Sequence, residues 1–492
     1  MPLGKPNILL LYTDQQRFGT VGALGNGVIQ TPALDSLVRE GVAFTSAYTA
    51  SPVCVSARCS LLLGQWAHHT GCTRNMAMPQ DRLSLMELLA GAGYQTHGVG
   101  KMHFVPDNQK LWGFESRDYS EELSRAPHDA FYQHLLAEGF GHVMDPQGVR
   151  SEFYYLPQPS QLPARLHNSH WVADRSLDFL ARRDAGRPFF LWSSFIKPHP
   201  PFESPVPWNR LYKAPEMPLP HLPSGYEELL TYQNHRQNRY KWRDQGWDLN
   251  LVRTIRAQYY AAISFVDYNV GRILDHLRNT GEMDRTLVVF TSDHGELLGD
   301  YGSFGKRSML DSAARVPLLV RYPERFPAGQ VVDQVVSTVD VLPTCLEAAD
   351  LPVPGDRDGA DLAGIAAGTC GRNGVPVQFS HGPDGLYALV TREWKYIHSA
   401  PDGREWLFAR DGALETRSVA GLAPYEGTLR EMRSRLINWF RRDGYEEPLA
   451  GDGWGSYPRL TVPPDPDAGL LFQEGAPVAD EFPPGYRPRC NP

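Results

Sequence analysis

Ionisable residues follow four short apolar runs of this 492-residue chain, soon after each run ends. They are Asp14 after Ile8–Tyr12, Lys101 and His103 after Thr96–Val99, Lys197 and His199 after Phe189–Phe195, and Asp293 and His294 after Leu287–Thr291. Ligand sites of open α/β sheets lie outside the carboxyl ends of the strands, so we expect these residues to converge. Asp14, Asp293 and His294 would suit a hard divalent cation that takes further oxygen ligands. The alternative is a capping aspartate beside a surface histidine.

A second set of residues could gather around an anion. Lysine and arginine side chains would offset the charge of the anion, and a histidine would give or take a proton. The candidates are Arg58, Lys101, His103, His199 and Lys306. Each of them alone is more often a solvated or structural residue. Together they predict a metal-assisted hydrolase that acts on an anionic substrate.

Cys54 lies in the stretch SPVCVSARCSLLLGQ, at the predicted start of a helix. A thiolate there would have a lowered pKa and act as a nucleophile, but cysteine phosphatases separate Cys and Arg by more than the three residues found here. A zinc site is a second alternative, and it lacks the usual paired spacings: its ligands would come from Cys54, Cys59, Cys72, His68 and His69. The third is a small buried residue that caps the helix.

The elements that must position these residues are those of a parallel sheet. Short runs rich in β-branched and aromatic residues alternate with amphipathic segments. This pattern predicts an α/β fold with a large, mostly parallel sheet covered by helices on both faces. Thr31 and Pro32 predict the start of one helix, and a second begins near Cys54.

The pattern changes from about residue 371 to alternating strands with turn signals. In GLYALVTREWKYIHSAPDGREWLF the APDG segment predicts a hairpin, and a helix from about Tyr425 to Phe440 follows. We predict a catalytic domain at 1–370, a smaller α+β domain on a short antiparallel sheet at 371–450, and an irregular tail rich in proline and glycine at 451–492. Such a tail packs on the protein body or on a neighbouring subunit, so a homo-oligomer is a candidate assembly.

The composition argues against several classes of function. A net charge of −8 and a pI near 6.1 offer no basic surface for nucleic acid. The apolar run in MPLGKPNILLLYTDQQ is short and is followed by an acid, so it predicts a buried strand and not a signal peptide. No apolar run approaches the roughly 20 residues of a membrane helix. Six scattered cysteines do not make a disulfide framework. We expect a soluble, cytoplasmic protein without a nucleic-acid or membrane partner.

The stretch CVSARCSLLLGQ resembles the signature of the type I, formylglycine-dependent sulfatases of the alkaline phosphatase superfamily. That signature has Cys-x-Pro-Ser/Ala-Arg before a Leu-Thr-Gly type ending, and Cys54, Ala57, Arg58 and Gly64 match it. Other segments resemble the family in the same order: PNILLLYTDQQR, TPALDSLVREGVAFTSAYTASPVC, GKMHF, KPHPPF, SDHGELLGDYGSFGKRSMLDSAARVPLLV, STVDVLPT and REWKYIHSAPDGREWLF. The resemblance covers most of the first 440 or so residues and implies an alkaline phosphatase-like fold.

The resemblance also implies hydrolysis of a sulfate monoester. In sulfatases the signature cysteine is oxidised after synthesis to formylglycine. One hydroxyl of its hydrate sits on a divalent metal and attacks sulfur, and the other later expels sulfate. The implied metal ligands are Asp14, Gln15, modified Cys54, Asp293 and His294.

The remaining implied roles fall on five further residues. Arg58 and Lys101 would hold the hydrate, and His103 would take its second proton. His199 and Lys306 would bind the sulfate, with His199 as the donor to the leaving oxygen.

Two ligand positions depart from the commonest family pattern. Many sulfatases have an aspartate where this chain has Gln15 and an asparagine where it has His294. The segments TDQ and DHG are closer to the choline-sulfatase-like and phosphonate monoester hydrolase-like branches. Calcium is the expected metal, and the imidazole ligand makes manganese the alternative.

Ser56 is a third departure, because the signature has proline there and the maturation machinery normally reads that proline in the extended chain. Proline presets φ, and serine removes this constraint without adding bulk. We predict that a formylglycine-generating maturation enzyme still converts Cys54.

Two other functions stay open. The same groups could hydrolyse a phosphonate monoester or a phosphodiester. A non-catalytic relative with unmodified Cys54 could instead bind sulfated ligands. For the leading interpretation, the expected substrate is a small-molecule or carbohydrate sulfate ester.

Overall fold

The computed structural model describes residues 5–122, 126–150, 154–242, 246–463 and 483–485. Its strands are β1 (Asn7–Asp14), β2 (Val42–Tyr48), β3 (Gln95–Gly100), β4 (Ser116–Tyr119), β5 (Gln158–Pro159), β6 (Phe189–Pro198), β7 (Glu203–Ser204), β8 (Thr286–Ser292), β9 (Leu318–Arg321), β10 (Gln330–Ser337), β11 (Val375–Phe379), β12 (Leu386–Val390), β13 (Trp394–Ser399), β14 (Arg404–Ala409), β15 (Leu449–Ala450) and β16 (Gly453–Trp454). Its α-helices are α1 (Pro32–Glu40), α2 (Cys54–Leu63), α3 (Ala67–Thr70), α4 (Leu85–Gly91), α5 (Ala130–Ala137), α6 (Asn168–Arg182), α7 (Tyr232–Gln237), α8 (Leu249–Asn279), α9 (Asp311–Ala314), α10 (Val341–Ala348), α11 (Leu362–Ala366) and α12 (Glu426–Arg442).

Eight strands form one large sheet in the order β10-β2-β9-β8-β1-β6-β3-β4. β1 lies near its centre and is parallel to both of its neighbours, β8 and β6. β3 and β4 continue in parallel beyond β6, whereas β9 is antiparallel to both of its neighbours. The prediction of a mixed, mostly parallel sheet is confirmed.

Helices cover both faces of this sheet, because successive side chains of β1 pack against helices on opposite sides. Ile8, Leu10 and Tyr12 pack into a core with α2, α4 and α10. Leu9 and Leu11 pack into the opposite core with α1, α6 and α8. A strand buried on both faces needs apolar residues throughout, which is why β1 is a continuous apolar run.

Helix α2 begins at Cys54 and ends where Gly64 adopts a left-handed conformation, with φ of 61°. The Gly64 N–H donates to carbonyl groups of the last turn. A side chain at this position would also crowd Leu342, because an added Cβ would lie 3.0 Å from the Leu342 Cβ. The glycine therefore ends the helix and allows α10 to pack closely.

A second, antiparallel sheet has the order β11-β12-β13-β14. The predicted hairpin joins β13 to β14. Met432, Leu436 and Phe440 of α12 pack on one face of this sheet. Trp406 and Phe408 lie on the other face, in a core shared with the main body. The smaller antiparallel sheet is thus confirmed, while the three domain boundaries stay a prediction.

Much of the predicted tail, residues 464–482 and 486–492, lies outside the described residues. Cys490 is among them, and the other five cysteines are free thiols. Within the described ranges, none of the helices combines the length and apolar composition needed to cross a membrane.

Candidate active site

Four parallel strands bring ionisable residues to one edge of the large sheet. β1 ends at Asp14, and Lys101, His199 and Asp293 directly follow β3, β6 and β8. The first turn of α2 adds Cys54 from the loop beyond β2. Four buried residues have ligand atoms within 4.8 Å of one another: Asp14, Cys54, Asp293 and His294. Together with Gln15 we call them the Cys54 cluster.

The Cys54 cluster fits a divalent cation. His294 donates from Nδ1 to the Gly295 carbonyl at 3.0 Å, which leaves Nε2 as a free ligand atom 3.3 Å from Cys54 Sγ. The Gln15 amide donates from Nε2 to Glu296, and its Oε1 is buried without a hydrogen-bond partner. Carboxylate oxygens, an amide oxygen and an imidazole nitrogen form a ligand set that suits a divalent cation.

Gln15 has a strained backbone conformation that two hydrogen bonds hold in place. Its φ is 67°, in the left-handed region that residues with a Cβ rarely adopt. Its N–H donates to Asp293 Oδ1 at 2.9 Å, and its carbonyl accepts from the Tyr259 hydroxyl at 2.6 Å. Strain of this kind persists where the surroundings fix the residue, and it is common at functional sites.

Three cationic side chains surround the cluster. Lys306 Nζ lies 2.8 Å from Cys54 Sγ. Arg58 donates from Nη2 to Asp14 Oδ2 at 3.1 Å and from Nε to Asp293 Oδ2 at 3.3 Å. Lys101 Nζ also donates to Asp14. The arginine and both lysines are buried, so their charges act on the cluster with little screening by water.

The pKa shifts of the cluster follow from these contacts. Burial and the Asp14 carboxylate raise the pKa of the Cys54 thiol, but Lys306, Lys101 and His294 together lower it more, to well below its usual range. Burial raises the pKa of Asp14, but Lys101 and the other neighbouring cations together outweigh burial, so that this pKa also lies well below its ordinary value. Burial and the neighbouring Asp14 raise the pKa of Asp293 to about 6. The cations therefore favour anionic Cys54 and Asp14, and Asp293 is the carboxyl that protonates more easily.

His199 also lies near Cys54. It donates from Nδ1 to the Pro200 carbonyl at 2.6 Å, and its Nε2 lies 3.5 Å from Glu122. Its ligand atom is within 4.8 Å of those of Cys54 and Glu122. Burial lowers the pKa of His199 to about 4.

His103 is not hydrogen-bonded to Cys54. Its φ is 55°, and its backbone N–H donates to Glu121 at 2.8 Å. Its ring Nδ1 is buried and has no hydrogen-bond partner in the described chain. His103, the expected proton acceptor, thus has a ring nitrogen without a hydrogen-bond partner in the described chain.

The expectation that Lys197 converges with the site is wrong. β6 continues through Pro198, so Lys197 still lies within the strand. Its Nζ lies 2.9 Å from the buried Glu203 carboxylate and donates to the Gln147 carbonyl at 3.0 Å. Lys197 belongs to a separate buried ion pair.

The alternative zinc site is also wrong. In the described part of the chain, the groups of adjacent metal-ligating atoms do not join Cys54 to Cys59, Cys72 or the two histidines. His68 instead lies 3.0 Å from Asp443, and His69 lies 2.7 Å from Asp358.

Ser56 has a role of its own in the first turn of α2. It is fully buried, and its hydroxyl donates to the Cys72 carbonyl. The first N–H groups of a helix have no partner within the helix, so a proline would be tolerated here without the loss of a backbone bond. Compared with proline, serine at position 56 makes the backbone less rigid but adds one side-chain hydrogen bond.

Sequence reasoning missed Glu122 and Glu296. Glu122 accepts from Lys101 and, at 3.2 Å, from Arg150. It follows the end of β4, and a search for apolar runs does not find this strand because it is short and polar. Glu296 accepts from the Gln15 amide and from the backbone N–H of Leu298. Only its position beside DHG could have identified Glu296.

A model of the sulfatase family matches residues 6–351 of the chain. The protein belongs to the sulfatase family. A second model, described as the C-terminal part of N-sulphoglucosamine sulphohydrolase, matches residues 299–439 of this sulfatase.

Relatives of this sulfatase include enzymes with different substrates in their names. An arylsulfatase of Clostridium perfringens is 29% identical over 476 residues, which cover 90% of this chain and 96% of the relative. A choline-sulfatase of Rhizobium meliloti is 30% identical over 446 residues, 85% of this chain and 83% of the relative. A solved phosphonate monoester hydrolase of Agrobacterium radiobacter has a TM-score of 0.78 at 24% identity, covering 92% of this sulfatase and 100% of that chain. This last similarity shows the fold.

Proposed function

We propose that this sulfatase hydrolyses a sulfate monoester to an alcohol and inorganic sulfate at residue 54, after a maturation enzyme has converted Cys54 to formylglycine. The observation that carries the proposal is the position of Cys54 Sγ. This atom lies 2.8 Å from Lys306 Nζ, 3.3 Å from His294 Nε2 and 3.7 Å from Asp14 Oδ1. A group on this side chain is thus within reach of both the candidate ligands and a cation that can hold an anionic substrate.

A divalent cation belongs to this proposal, with Asp14, Gln15, Asp293 and His294 as its ligands beside residue 54. The partnerless Gln15 Oε1 supports it, because a buried amide oxygen without a donor has an unmet need for a positive partner. Calcium is the first choice and manganese the alternative. When bound, the cation would lower the pKa of a hydroxyl on residue 54 and stabilise negative charge on the sulfate oxygens.

The cationic side chains have separate tasks. Arg58 and Lys101 hold the hydrate of formylglycine and keep Asp14 charged. Lys306 binds a sulfate oxygen from its present place beside residue 54. Such preorganised donors stabilise the transition state because they need not reorient as charge develops.

The two histidines move protons. His199 donates from Nε2 to the leaving oxygen as the imidazolium, because its Nδ1–H is already engaged by the Pro200 carbonyl. Burial opposes this form by lowering the pKa of His199, and the negative charge of the bound sulfate offsets the effect of burial. His103 takes the second proton of the hydrate, and its buried, partnerless Nδ1 is the acceptor available for this.

The first experiment measures the mass of the Cys54 peptide and the hydrolysis of 4-nitrophenyl sulfate by protein made together with a maturation enzyme. We expect a formylglycine mass and turnover with added calcium or manganese. Cys54→Ala should lower kcat/KM by at least about 10⁴-fold, because the nucleophile is lost. Cys345→Ala, at a buried cysteine in α10, is the matched control and should retain turnover.

An unmodified thiol in active protein would contradict the formylglycine mechanism. Faster turnover of phenyl phosphonate monoesters than of matched aryl sulfates would favour the phosphonate alternative. Binding of sulfate esters without any turnover by mature protein would favour the non-catalytic one.

A further inference from the structure

A cavity of about 290 Å³ has a strongly cationic lining. Among its lining residues, the charged ones are Arg74, Arg236, Lys241, Arg307 and Asp384. We call this cavity the cationic pocket. Four cations thus face one carboxylate in a chain whose net charge is −8. The local charge is opposite to that of the whole chain, so the pocket is not an average part of the surface.

The cations of the pocket have no carboxylate partners within the described residues. Lys241 instead places Nζ 4.6 Å from the ring centre of Tyr154, and Arg307 lies 5.9 Å from that of Phe379. Aromatic faces attract cations, but they do not neutralise them. The pocket therefore keeps an excess of positive charge for a ligand to neutralise.

Lys241 is the most unusual of these cations. It lies in a π-helical turn, Asn238–Trp242, that directly follows α7, and such turns are frequent at functional sites. Burial lowers the pKa of Lys241, and the charges of Arg307 and Lys306 lower it further, to well below its ordinary value. An anion in the pocket would oppose this lowering, because it would pair with the ammonium group and offset the neighbouring positive charges.

Two connections join the pocket to residue 54. The first is at Lys306, which extends its side chain to Cys54, while the next residue, Arg307, lines the pocket. The side-chain oxygen of Gln237 accepts from the Lys306 N–H at 3.1 Å and from Arg307 Nη1 at 3.4 Å, and Gln237 also lines the pocket. Asn75, which also lines the pocket, accepts from the Val55 N–H at 3.2 Å. The wall of the pocket therefore contacts the immediate chain neighbours of Cys54 and Arg307, which brings the pocket close to residue 54.

We propose that the cationic pocket binds a second anionic group of the substrate, a carboxylate or a second sulfate on the same molecule as the ester that is cleaved. This inference rests on the proposed function and narrows its substrate class to dianionic or polyanionic esters. Recognition is by charge-assisted hydrogen bonds from the lysine and arginine side chains. A substrate with a quaternary ammonium group, such as choline sulfate, should be turned over poorly because the pocket repels it.

The test compares sulfate esters of three phenols that differ in one group. The phenols are 4-hydroxyphenylacetate, 4-hydroxybenzylsulfonate and 4-hydroxyphenylacetamide, and a second series is one methylene longer. The methylene keeps the leaving-group pKa nearly constant, so kcat/KM reports recognition. We expect kcat/KM to be about 10–100-fold higher for an anionic ester than for the amide in at least one series. The carboxylate and sulfonate arms distinguish a carboxylate ligand from a sulfate-like one.

Equal kcat/KM for anionic and neutral esters in both series would overturn the inference. Lys241→Met and Arg307→Met should reduce the ratio of acid to amide at least about 5-fold, and ratios unchanged in both variants would also overturn it. Lys213→Met is the matched control, since Lys213 is an exposed lysine outside the pocket. If the two variants do not fold, Arg74→Met serves in their place because Arg74 is exposed.

Failure of the proposed function would give a different result. If none of the esters is hydrolysed, calorimetry of the mature protein with 4-sulfophenylacetate and its amide tests the pocket without turnover. Binding of the acid at least about 10-fold tighter than the amide supports the inference, and equal affinities overturn it.

Discussion

This protein buries charged side chains in two places, and the two clusters differ in how their polar atoms are paired. We call the first the Lys395 cluster, which lies between the main body and the small sheet and comprises Asp311, Arg315, Lys395 and Glu415. Lys395 Nζ donates to both carboxylates. Arg315 donates to Asp311 at 3.3 Å, and the Tyr301 hydroxyl donates to Glu415 at 3.0 Å. None of the buried side-chain atoms of this cluster lacks a partner within the described residues.

The Cys54 cluster is equally buried but incomplete. Asp14 and Asp293 direct like charges at one point beside Cys54, and Gln15 Oε1 has no partner. The aspartate pKa values reflect the difference. Burial raises the pKa of both Asp311 and Asp293, but Lys395 and Arg315 lower that of Asp311 to about 2, whereas Asp14 raises that of Asp293 further, to about 6.

The comparison separates a structural use of buried charge from a functional one. In the Lys395 cluster every charge meets an opposite charge of the same chain, so folding alone completes the cluster. In the Cys54 cluster three cations of the chain pair with the charged groups, but the Gln15 amide oxygen stays unpaired, and a positive ligand from outside the chain would give it a partner.

The largest expected effect is on stability. Lys395→Met should lower the free energy of unfolding by about 3–5 kcal/mol, because it removes the cation that two buried carboxylates share. The molecules that remain folded should keep kcat/KM within about 3-fold, since the Cys54 cluster is untouched. Urea unfolding followed by circular dichroism measures the first quantity, and an active-site-normalised assay measures the second.

Lys213→Met provides the control for this substitution, because Lys213 is exposed and should change stability by less than about 0.5 kcal/mol. A Lys395→Met protein as stable as the wild type would remove the distinction between the clusters.

A medium effect is expected on cation affinity. Gln15→Ala removes the one partnerless oxygen of the Cys54 cluster and should weaken calcium or manganese binding about 10-fold. The rise of the unfolding temperature with added cation measures this affinity, because a ligand that binds only the folded state stabilises it. The matched control is Gln133→Ala on the exposed side of α5, and Lys395→Met should likewise leave the affinity unchanged. An unchanged affinity in Gln15→Ala would exclude this residue as a ligand.

The smallest effect concerns pH. The pKa of Asp311 is about 2 in the folded protein and 3.8 in its unperturbed state, so its ionisation stabilises the fold above about pH 4. This stabilisation is lost as the pH falls toward about 2. The difference in unfolding free energy between wild type and Asp311→Asn should therefore shrink by roughly 0.7 kcal/mol between about pH 5.5 and 3.5. A difference that grows on acidification would mean that the sign of the Asp311 shift is wrong.

Local sequence patterns were sufficient to predict much of the fold. The apolar runs of β1, β3, β6 and β8 were predictable because a strand buried on both faces tolerates few polar residues. The ends of these strands identified Asp14, Lys101, His199 and Asp293 as neighbours before any coordinates. The helix starts at Pro32 and Cys54 also follow from short-range signals.

Other features depended on contacts between residues distant in sequence. β4 is short and polar, so neither it nor Glu122 beyond its end has a local signature. Lys197 follows an apolar run as His199 does, yet the length of β6 and the buried Glu203 direct it elsewhere. The order of the strands also depends on contacts between residues distant in sequence. So does the contact of the small sheet with the main body through the Lys395 cluster.

The sequence by itself therefore determined the fold class, the family and most of the residues around Cys54, because periodicity, strand-end chemistry and short signature motifs are local properties. Only the tertiary structure decided that Gln15 Oε1 lacks a partner and that Arg74, Lys241 and Arg307 share one pocket. These residues lie in unrelated segments of the chain, and their charges meet only after the loops between the strands have packed. Pairing and burial depend on this packing, so no local pattern could have predicted them.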